Sequence, residues 1–231
     1  MVFSGKRALS FSTWVKISPF VGLNQSEKAF FENLLSLGVS DSHAERMLAL
    51  EKINRSTRFQ KQNPRESEIY EYLTHWYYVA IRELAAVDGF QEDMSWIQAQ
   101  LNYSVSLQEV KTAFDFLLAN GYLKRNSRGK ILAPDKVIDG SGGVYRVALG
   151  QYHRELLSLA SQSIDKTPSE LREIGCHTVA LGPESFQRAR QIVTEALAKI
   201  RDLGKAENGG DSVYHMEIAL FPLAGPNGSS K

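Results

Sequence analysis

Residues 106–132, which read SLQEVKTAFDFLLANGYLKRNSRGKIL, decide the fold of this chain. Ser106 and Glu109 have the spacing of a capping box, in which two side chains bond the free backbone amides at the start of a helix. Apolar residues then recur with the period of a helix that buries one face; they are Val110, Ala113, Phe114, Leu117 and Leu118. The stretch therefore predicts an amphipathic helix with a well-defined beginning.

The residues after this helix predict a small basic hairpin. Asn120-Gly121 is a pair that ends helices in a left-handed turn, and two short runs, 122–125 and 130–132, flank the loop 126–129. A capped helix that leads into a basic hairpin is the second half of a winged helix. Two further amphipathic helices upstream, near 76–87 and 93–101, complete a winged-helix domain over residues 74–134.

The N-terminal part predicts a helical module that continues into a basic segment. Helices capped by Ser10 and Ser26, and a third over residues 41–53, are expected there. Residues 46–65 hold six Lys or Arg against one Glu, a balance of 6 − 1 = +5. Residues 1–65 are thus interpreted as a helical remnant followed by a basic linker, either merely solvated or a strap that contacts phosphates.

The last third predicts alternating helices and strands. The glycine-rich residues 139–143 indicate a linker, and a helix over 145–164 follows it. A strand over 173–181, a helix from Pro183 to about Leu203, and a clean apolar-polar alternation over 213–223 suggest a helix-strand-helix-strand domain at 145–224 with paired strands. A disordered tail is expected at 225–231. The fold class expected for the whole chain is α+β, mostly helical.

Composition bounds the class of protein. The net charge of the 231 residues is only +1, so an argument for nucleic acid must rest on local charge. The single cysteine, Cys176, excludes an internal disulfide and favours the cytoplasm, and no apolar run reaches the roughly 20 residues of a membrane span.

Catalysis has little support. Cys176 and His177 are neighbours, and on a strand their side chains would point to opposite faces and could not act as nucleophile and base. We therefore expect no enzyme and no cofactor, with Cys176 a buried structural residue. His153, His177 and His215 in the last third leave a metal or anion site as a weaker alternative.

The order of these pieces resembles a bacterial family of predicted regulators built on domain of unknown function number 4423. The resemblance covers nearly the whole chain, and it implies an N-terminal helix-turn-helix, a winged helix and a C-terminal domain of unknown role. The segments that carry it are 4–10, Trp76 with 81–84, Trp96-Ile97 with Leu101, 117–123, Tyr152-His153, 211–214 and 220–223.

The N-terminus departs from the family pattern. In helix-turn-helix modules of this family the Ser-Gly-Lys-Arg segment follows the recognition helix, whereas here it begins at Ser4. The resemblance therefore implies that the two helices of the first DNA reader are missing. Either the true start lies upstream, or this member has lost that reader.

The expected partner is double-stranded DNA, read through the winged helix. Gln108, Lys111 and Thr112 lie on the predicted outer face of the capped helix, and Lys124, Arg125, Arg128 and Lys130 give the hairpin four positive charges. The chain is thus expected to be a transcriptional regulator that forms a homodimer through its C-terminal domain. The alternative is a protein-interaction scaffold of the same architecture that no longer binds DNA; the effector cannot be read from the sequence.

Overall fold

The structure is a computed structural model that describes residues 9–136, 138, 143–206 and 210–225. It is an α+β protein, mostly helical, as predicted. The helices are α1 (Phe11–Ile17), α2 (Gln25–Val39), α3 (His43–Asn54), α4 (Thr57–Gln62), α5 (Pro64–Thr74), α6 (Trp76–Leu84), α7 (Met94–Gln100), α8 (Leu107–Ala119), α9 (Gly143–Lys166) and α10 (Pro183–Ala206). Strands β1 (Lys124–Arg125) and β2 (Ile131–Leu132) form an antiparallel hairpin, and single 3-10 turns occupy Ser18–Phe20 and Ser169–Leu171.

The first helix is anchored on the second through one tryptophan. Ser10 caps α1 as predicted, because its Oγ accepts a hydrogen bond from the backbone amide of Thr13 at 3.3 Å. Trp14 is buried, its Nε1 donates to Glu32 at 3.1 Å, and its ring centroid lies 4.3 Å from that of Phe31. The short α1 is therefore held by tertiary contact, since a helix of this length is unstable alone.

The predicted cap of the second helix was wrong by one half-turn. Asn24, not Ser26, caps α2: its Oδ1 accepts from the backbone amide of Glu27 at 3.0 Å, and the Glu27 carboxylate accepts from the amide of Asn24 at 3.2 Å. A capping box needs Glu or Gln three residues after the cap. Asn24 has Glu27 at that position, whereas Ser26 has Ala29.

The basic segment 46–65 is not a linker but is mostly helical. It comprises most of α3, the whole of α4 and the start of α5. Ile53 and Phe59 within it are buried in the same core as the winged helix. Lys52, Arg55, Lys61 and Arg65 are exposed on the outer faces of these helices. The segment is therefore packed helix rather than a strap between the N-terminal helices and the domain that follows.

The elements predicted for the winged-helix unit, three helices followed by a two-stranded hairpin, are formed in that order. Helices α6 and α7 both pack against α8, and the hairpin pairs Lys124 with Leu132 and Arg125 with Ile131. Phe114 on α8 is buried as expected.

The two tryptophans of the winged helix pack at different places rather than in one cluster with Phe114. Trp76 lies edge-on to Tyr103 with ring centroids 5.8 Å apart, and Trp96 lies edge-on to Phe90 at 5.6 Å. Each therefore covers its own edge of the core.

Helix α9 belongs to the core and not to a separate domain. It packs along α5 and buries Val144, Ala148 and Leu156. The hydroxyl of Tyr103 donates to the backbone carbonyl of Leu159 at 3.0 Å, which ties α9 to the loop before α8. The winged helix is thus backed by α5 and α9.

The predicted C-terminal strands are not formed within the described residues. Segments 172–182 and 212–222 have no regular secondary structure, and the backbone pairing described beside them is an isolated parallel bridge between Val87 and Gly210. Cys176 is exposed, so its expected burial was wrong. A two-stranded ribbon is only marginally stable by itself, and within the described residues these two segments do not pair with each other.

Residues 1–8, the predicted linker at 139–142 and the tail after Gly225 lie outside the described residues. Among the described helices, none is long and apolar enough to cross a membrane.

Candidate nucleic-acid interface

The capped start of α8 positions the outer face of the winged helix. Ser106 Oγ accepts from the amide of Glu109 at 3.3 Å, and the Glu109 carboxylate accepts from the amide and the hydroxyl of Ser106 at 2.8 and 2.6 Å. These hydrogen bonds from Ser106 hold the pKa of Glu109 below its ordinary value. The carboxylate is therefore ionised near the positive end of the helix dipole, which stabilises the helix start.

The exposed face of α8 is polar but largely paired within itself. Lys111 Nζ bonds Asp115 Oδ2 at 2.6 Å, one turn further along. Thr112 Oγ1 donates to the carbonyl of Gln108 at 2.9 Å and lies 3.4 Å from the Gln108 side-chain nitrogen. All four side chains are exposed, as predicted, yet the single cation of this face is neutralised by its neighbour.

The loop of the hairpin is closed by one asparagine and one glycine. Asn126 Oδ1 accepts hydrogen bonds from the backbone amides of Arg128 at 2.9 Å and Lys130 at 3.0 Å. Gly129 has φ +78°, in the left-handed region where residues with a Cβ are strained. The turn thus fixes the backbone of Arg128 and Lys130, from which their charged side chains extend into solvent.

The hairpin carries the free positive charge of the region. Lys124, Arg128 and Lys130 are exposed, and among the described residues none of the three forms an ion pair. Arg125 instead makes a bidentate ion pair with Glu92, in the loop between α6 and α7. The four hairpin cations together with the Glu92 carboxylate therefore have a net charge of 4 − 1 = +3, whereas the sequence predicted +4.

The base of the hairpin is held rigidly against α5. The ring of Tyr122 stacks on that of Tyr72 with centroids 4.1 Å apart, and Lys136 Nζ lies 3.8 Å from the Tyr122 ring centroid. Lys136 also bonds the Glu68 carboxylate on α5 and the carbonyl of Asn120 at the end of α8. Contacts of Tyr122 and Lys136 therefore hold the hairpin against α5 and the end of α8.

The amino-acid sequence matches one known protein family. The domain of unknown function DUF4423 matches residues 56–223, which is 223 − 56 + 1 = 168 of the 231 residues. The chain belongs to the DUF4423 family. The matched region starts just before α4 and includes the whole winged helix, α9 and α10. No curated protein and no solved structure matches the chain.

The DUF4423 region also brings two of the three C-terminal histidines together. His153 Nδ1 on α9 lies 3.0 Å from Glu217 Oε1, and His215 Nε2 lies 3.3 Å from Glu217 Oε2. The ring of His215 meets that of Tyr152 edge-on. Within the described residues no three His, Cys, Asp or Glu side chains are arranged to hold a metal, so this contact fastens the last segment of the chain to α9.

Glu92 is the site residue that sequence reasoning missed. It precedes Arg125 by 33 positions and lies in a loop without a motif, so no local pattern joins the two. The seven predicted residues are otherwise all on the surface, with Lys124, Arg125, Arg128 and Lys130 on the hairpin and Gln108, Lys111 and Thr112 on α8. Their role toward nucleic acid stays a prediction.

Proposed function

We propose that this DUF4423 protein is a cytoplasmic transcriptional regulator that binds double-stranded DNA with the hairpin of its winged helix. The observation that carries the proposal is the set of three exposed cations, Lys124, Arg128 and Lys130, which form no ion pair within the described part of the chain and lie on a hairpin whose base packs against α5. Lys and Arg side chains on such a hairpin bind backbone phosphates and release condensed counterions.

In this proposal α8 is the element that contacts bases, and it makes few such contacts. Gln108 and Thr112 have side chains that can bond base edges in a major groove. Asp115 and Glu109 on the same helix repel phosphates, so α8 is expected to approach bases only where the hairpin anchors it. Phosphate contact is therefore the main source of affinity, and sequence preference is weak.

The first test is the salt dependence of binding to random-sequence duplex DNA. Each lost phosphate contact lowers the slope of log K against log salt by about 0.9, so Arg128→Ala with Lys130→Ala should lower it by about 1.8 and weaken binding at every salt concentration. Lys16→Ala with Lys199→Ala removes the same charge from exposed sites on α1 and α10 and should leave the slope unchanged. Fluorescence anisotropy over roughly 50–200 mM salt measures both.

The result also decides between the proposal and the scaffold alternative. The Lys111–Asp115 and Arg125–Glu92 pairs and the net charge of +1 favour a protein-contacting surface. If the parent protein binds random DNA without a salt slope, or if both double variants behave alike, the hairpin does not contact phosphates and the scaffold reading holds.

A second test uses the ion pair that neutralises Arg125. Glu92→Gln removes the carboxylate and frees the guanidinium, so DNA affinity should rise and the salt slope should steepen by about 0.9. Stability should change little, since exposed ion pairs contribute about 0–1 kcal/mol. Glu83→Gln is the matched control, because it removes the same charge from the Arg82–Glu83 pair on α6. Equal gains in both variants would mean that only net charge matters and that Arg125 lies away from DNA.

We also propose that the chain acts as a homodimer joined through α10. None of the described side chains of α10 is buried, although its apolar residues follow a seven-residue repeat. Phe186, Val193 and Ile200 occupy one set of positions and Ala189, Ala196 and Leu203 the other. Spacing of this kind is the seam of a coiled coil, which a second copy of the same helix completes.

The exposed apolar side chains of α10 support a second copy as the occupant. Ile192, Leu197, Ile200 and Leu203 are 65%, 38%, 47% and 65% exposed. An apolar surface of this kind on one helix usually marks a protein–protein interface. A two-fold dimer would also present two hairpins to a two-fold DNA site.

A further inference from the structure

A cleft separates the N-terminal helices from the helices that back the winged helix. It has a volume of about 650 Å³ and lies where α3 faces α5 and α9. It lies on a different set of elements from the α8 face and the hairpin. Clefts of this size hold small organic ligands when they are lined by a few directed polar groups.

Two buried polar atoms in the cleft walls lack a hydrogen-bond partner among the residues that the structure describes. Asn54, the last residue of α3, is 6% exposed, and its Oδ1 is buried and unpaired. Ser67 Oγ on α5 is likewise buried and unpaired. Both residues line the cleft. A buried acceptor without a donor costs about 1–3 kcal/mol, so a hydrogen-bond donor placed beside Asn54 Oδ1 would be stabilising.

The cleft carries a net negative charge. Glu51, Glu71 and Glu155 line it against Arg55, which gives 1 − 3 = −2 with His75 neutral. Arg55 is already bonded to Glu51, so the uncompensated carboxylates are those of Glu71 and Glu155. Glu71 accepts the hydroxyl of Tyr78 at 2.8 Å, which is a neutral donor and leaves its charge in place.

The side chain of Glu155 on α9 is partly buried, with 27% of its surface exposed. Its Oε2 accepts the backbone amide of Trp76 at 2.9 Å, and His75 Nδ1 lies 4.0 Å from its Oε1. Burial raises the pKa of this carboxyl above its ordinary value, and the contacts with Trp76 and His75 only partly oppose that effect. A carboxyl in this state gains from a cation with hydrogen-bond donors placed beside it.

We propose that this cleft binds a small organic cation, an amine whose N–H groups donate to Asn54 Oδ1 and to the Glu155 carboxylate. The class follows from the chemistry of the walls: an unpaired acceptor, two uncompensated carboxylates, and Tyr70 beside them. Because α3, α5 and α9 all contribute, a bound amine bridges the N-terminal helices and the support of the winged helix. The site is independent of DNA binding.

The test titrates the full-length protein with butane-1,4-diamine, using butane-1,4-diol as a neutral probe of similar size. Backbone amide NMR should show saturable shifts on α3, α5 and α9 with the diamine and none with the diol. Asn54→Leu and Glu155→Gln should each weaken diamine binding at least about tenfold, the effect of losing one charge-assisted hydrogen bond. Glu195→Gln, an exposed carboxylate on α10 outside the cleft, should bind like the parent.

The opposite outcomes are equally clear. Equal shifts with diamine and diol would overturn the cationic class, because the cleft would then be a water-filled polar space. Shifts spread over all acidic surfaces, unaffected by Asn54→Leu and Glu155→Gln, would show only non-specific attraction and remove the site. Glu155→Gln keeps an oxygen for the Trp76 amide, so it tests the charge even if Asn54→Leu disturbs the end of α3.

Discussion

Phe114→Ala is expected to lower the free energy of unfolding by about 3–5 kcal/mol, the range for emptying a large aromatic site in a core. Phe114 is 2% exposed and lies on the face of α8 that packs against α6 and α7. For a chain of this length the thermal midpoint should fall by roughly 6–20 °C. Differential scanning calorimetry measures both quantities.

Leu107→Ala is the matched control for this variant. Leu107 lies on the same helix but is 46% exposed, so its truncation should change stability by no more than about 0.5 kcal/mol. If the midpoint of Phe114→Ala stays within about 2 °C of the parent, the packing of α8 described above is wrong, and so is the direction in which its outer face points.

Val193→Asp with Ile200→Asp is expected to convert the proposed dimer into monomers. Both residues occupy the same heptad position on α10, and a carboxylate there would be buried without a partner, at a cost of several kcal/mol each. By sedimentation equilibrium at micromolar concentration, the parent should have a mass near twice 25.9 kDa. The double variant should have the mass of one chain.

Gln191→Asp with Thr194→Asp serves as the control for the dimer. It adds the same two negative charges to α10 at exposed positions outside the apolar seam, so the mass should stay that of a dimer. A parent mass near one chain refutes the dimer outright. A dimer that persists in Val193→Asp/Ile200→Asp would show that the copies meet elsewhere. Point changes on α10 are preferable to deleting residues 145–231, since α9 in that segment is part of the core.

The core around Phe114 and the apolar seam of α10 belong to different levels of the structure. The first concerns the packing that points α8 and the hairpin outward, and it involves one chain only. The second concerns a surface that one chain leaves uncovered. A protein that passes the first and fails the second would keep its candidate interface and bind DNA as a monomer, with half the contacts.

Sequence alone determined α8 and the hairpin that follows it, because every signal for them is local. The capping box of Ser106 and Glu109, the helical period of α8 and the turn at Gly121 each lie within a few residues of one another. Gly121 has φ +74°, as a left-handed helix end requires. Local hydrogen bonds and a repeated apolar face decide such elements before any distant part of the chain is in place.

Tertiary structure decided the features that join distant residues. The pairing of Arg125 with Glu92, the clamp of Lys136 on Tyr122 and the packing of 46–65 into helices all depend on which surfaces meet, and no local pattern encodes that. Residues 213–223 show the converse case, in which a local pattern predicted a strand that the structure does not form. An alternating run forms a strand only where another strand supplies its hydrogen bonds, and within the described chain that second strand is not there.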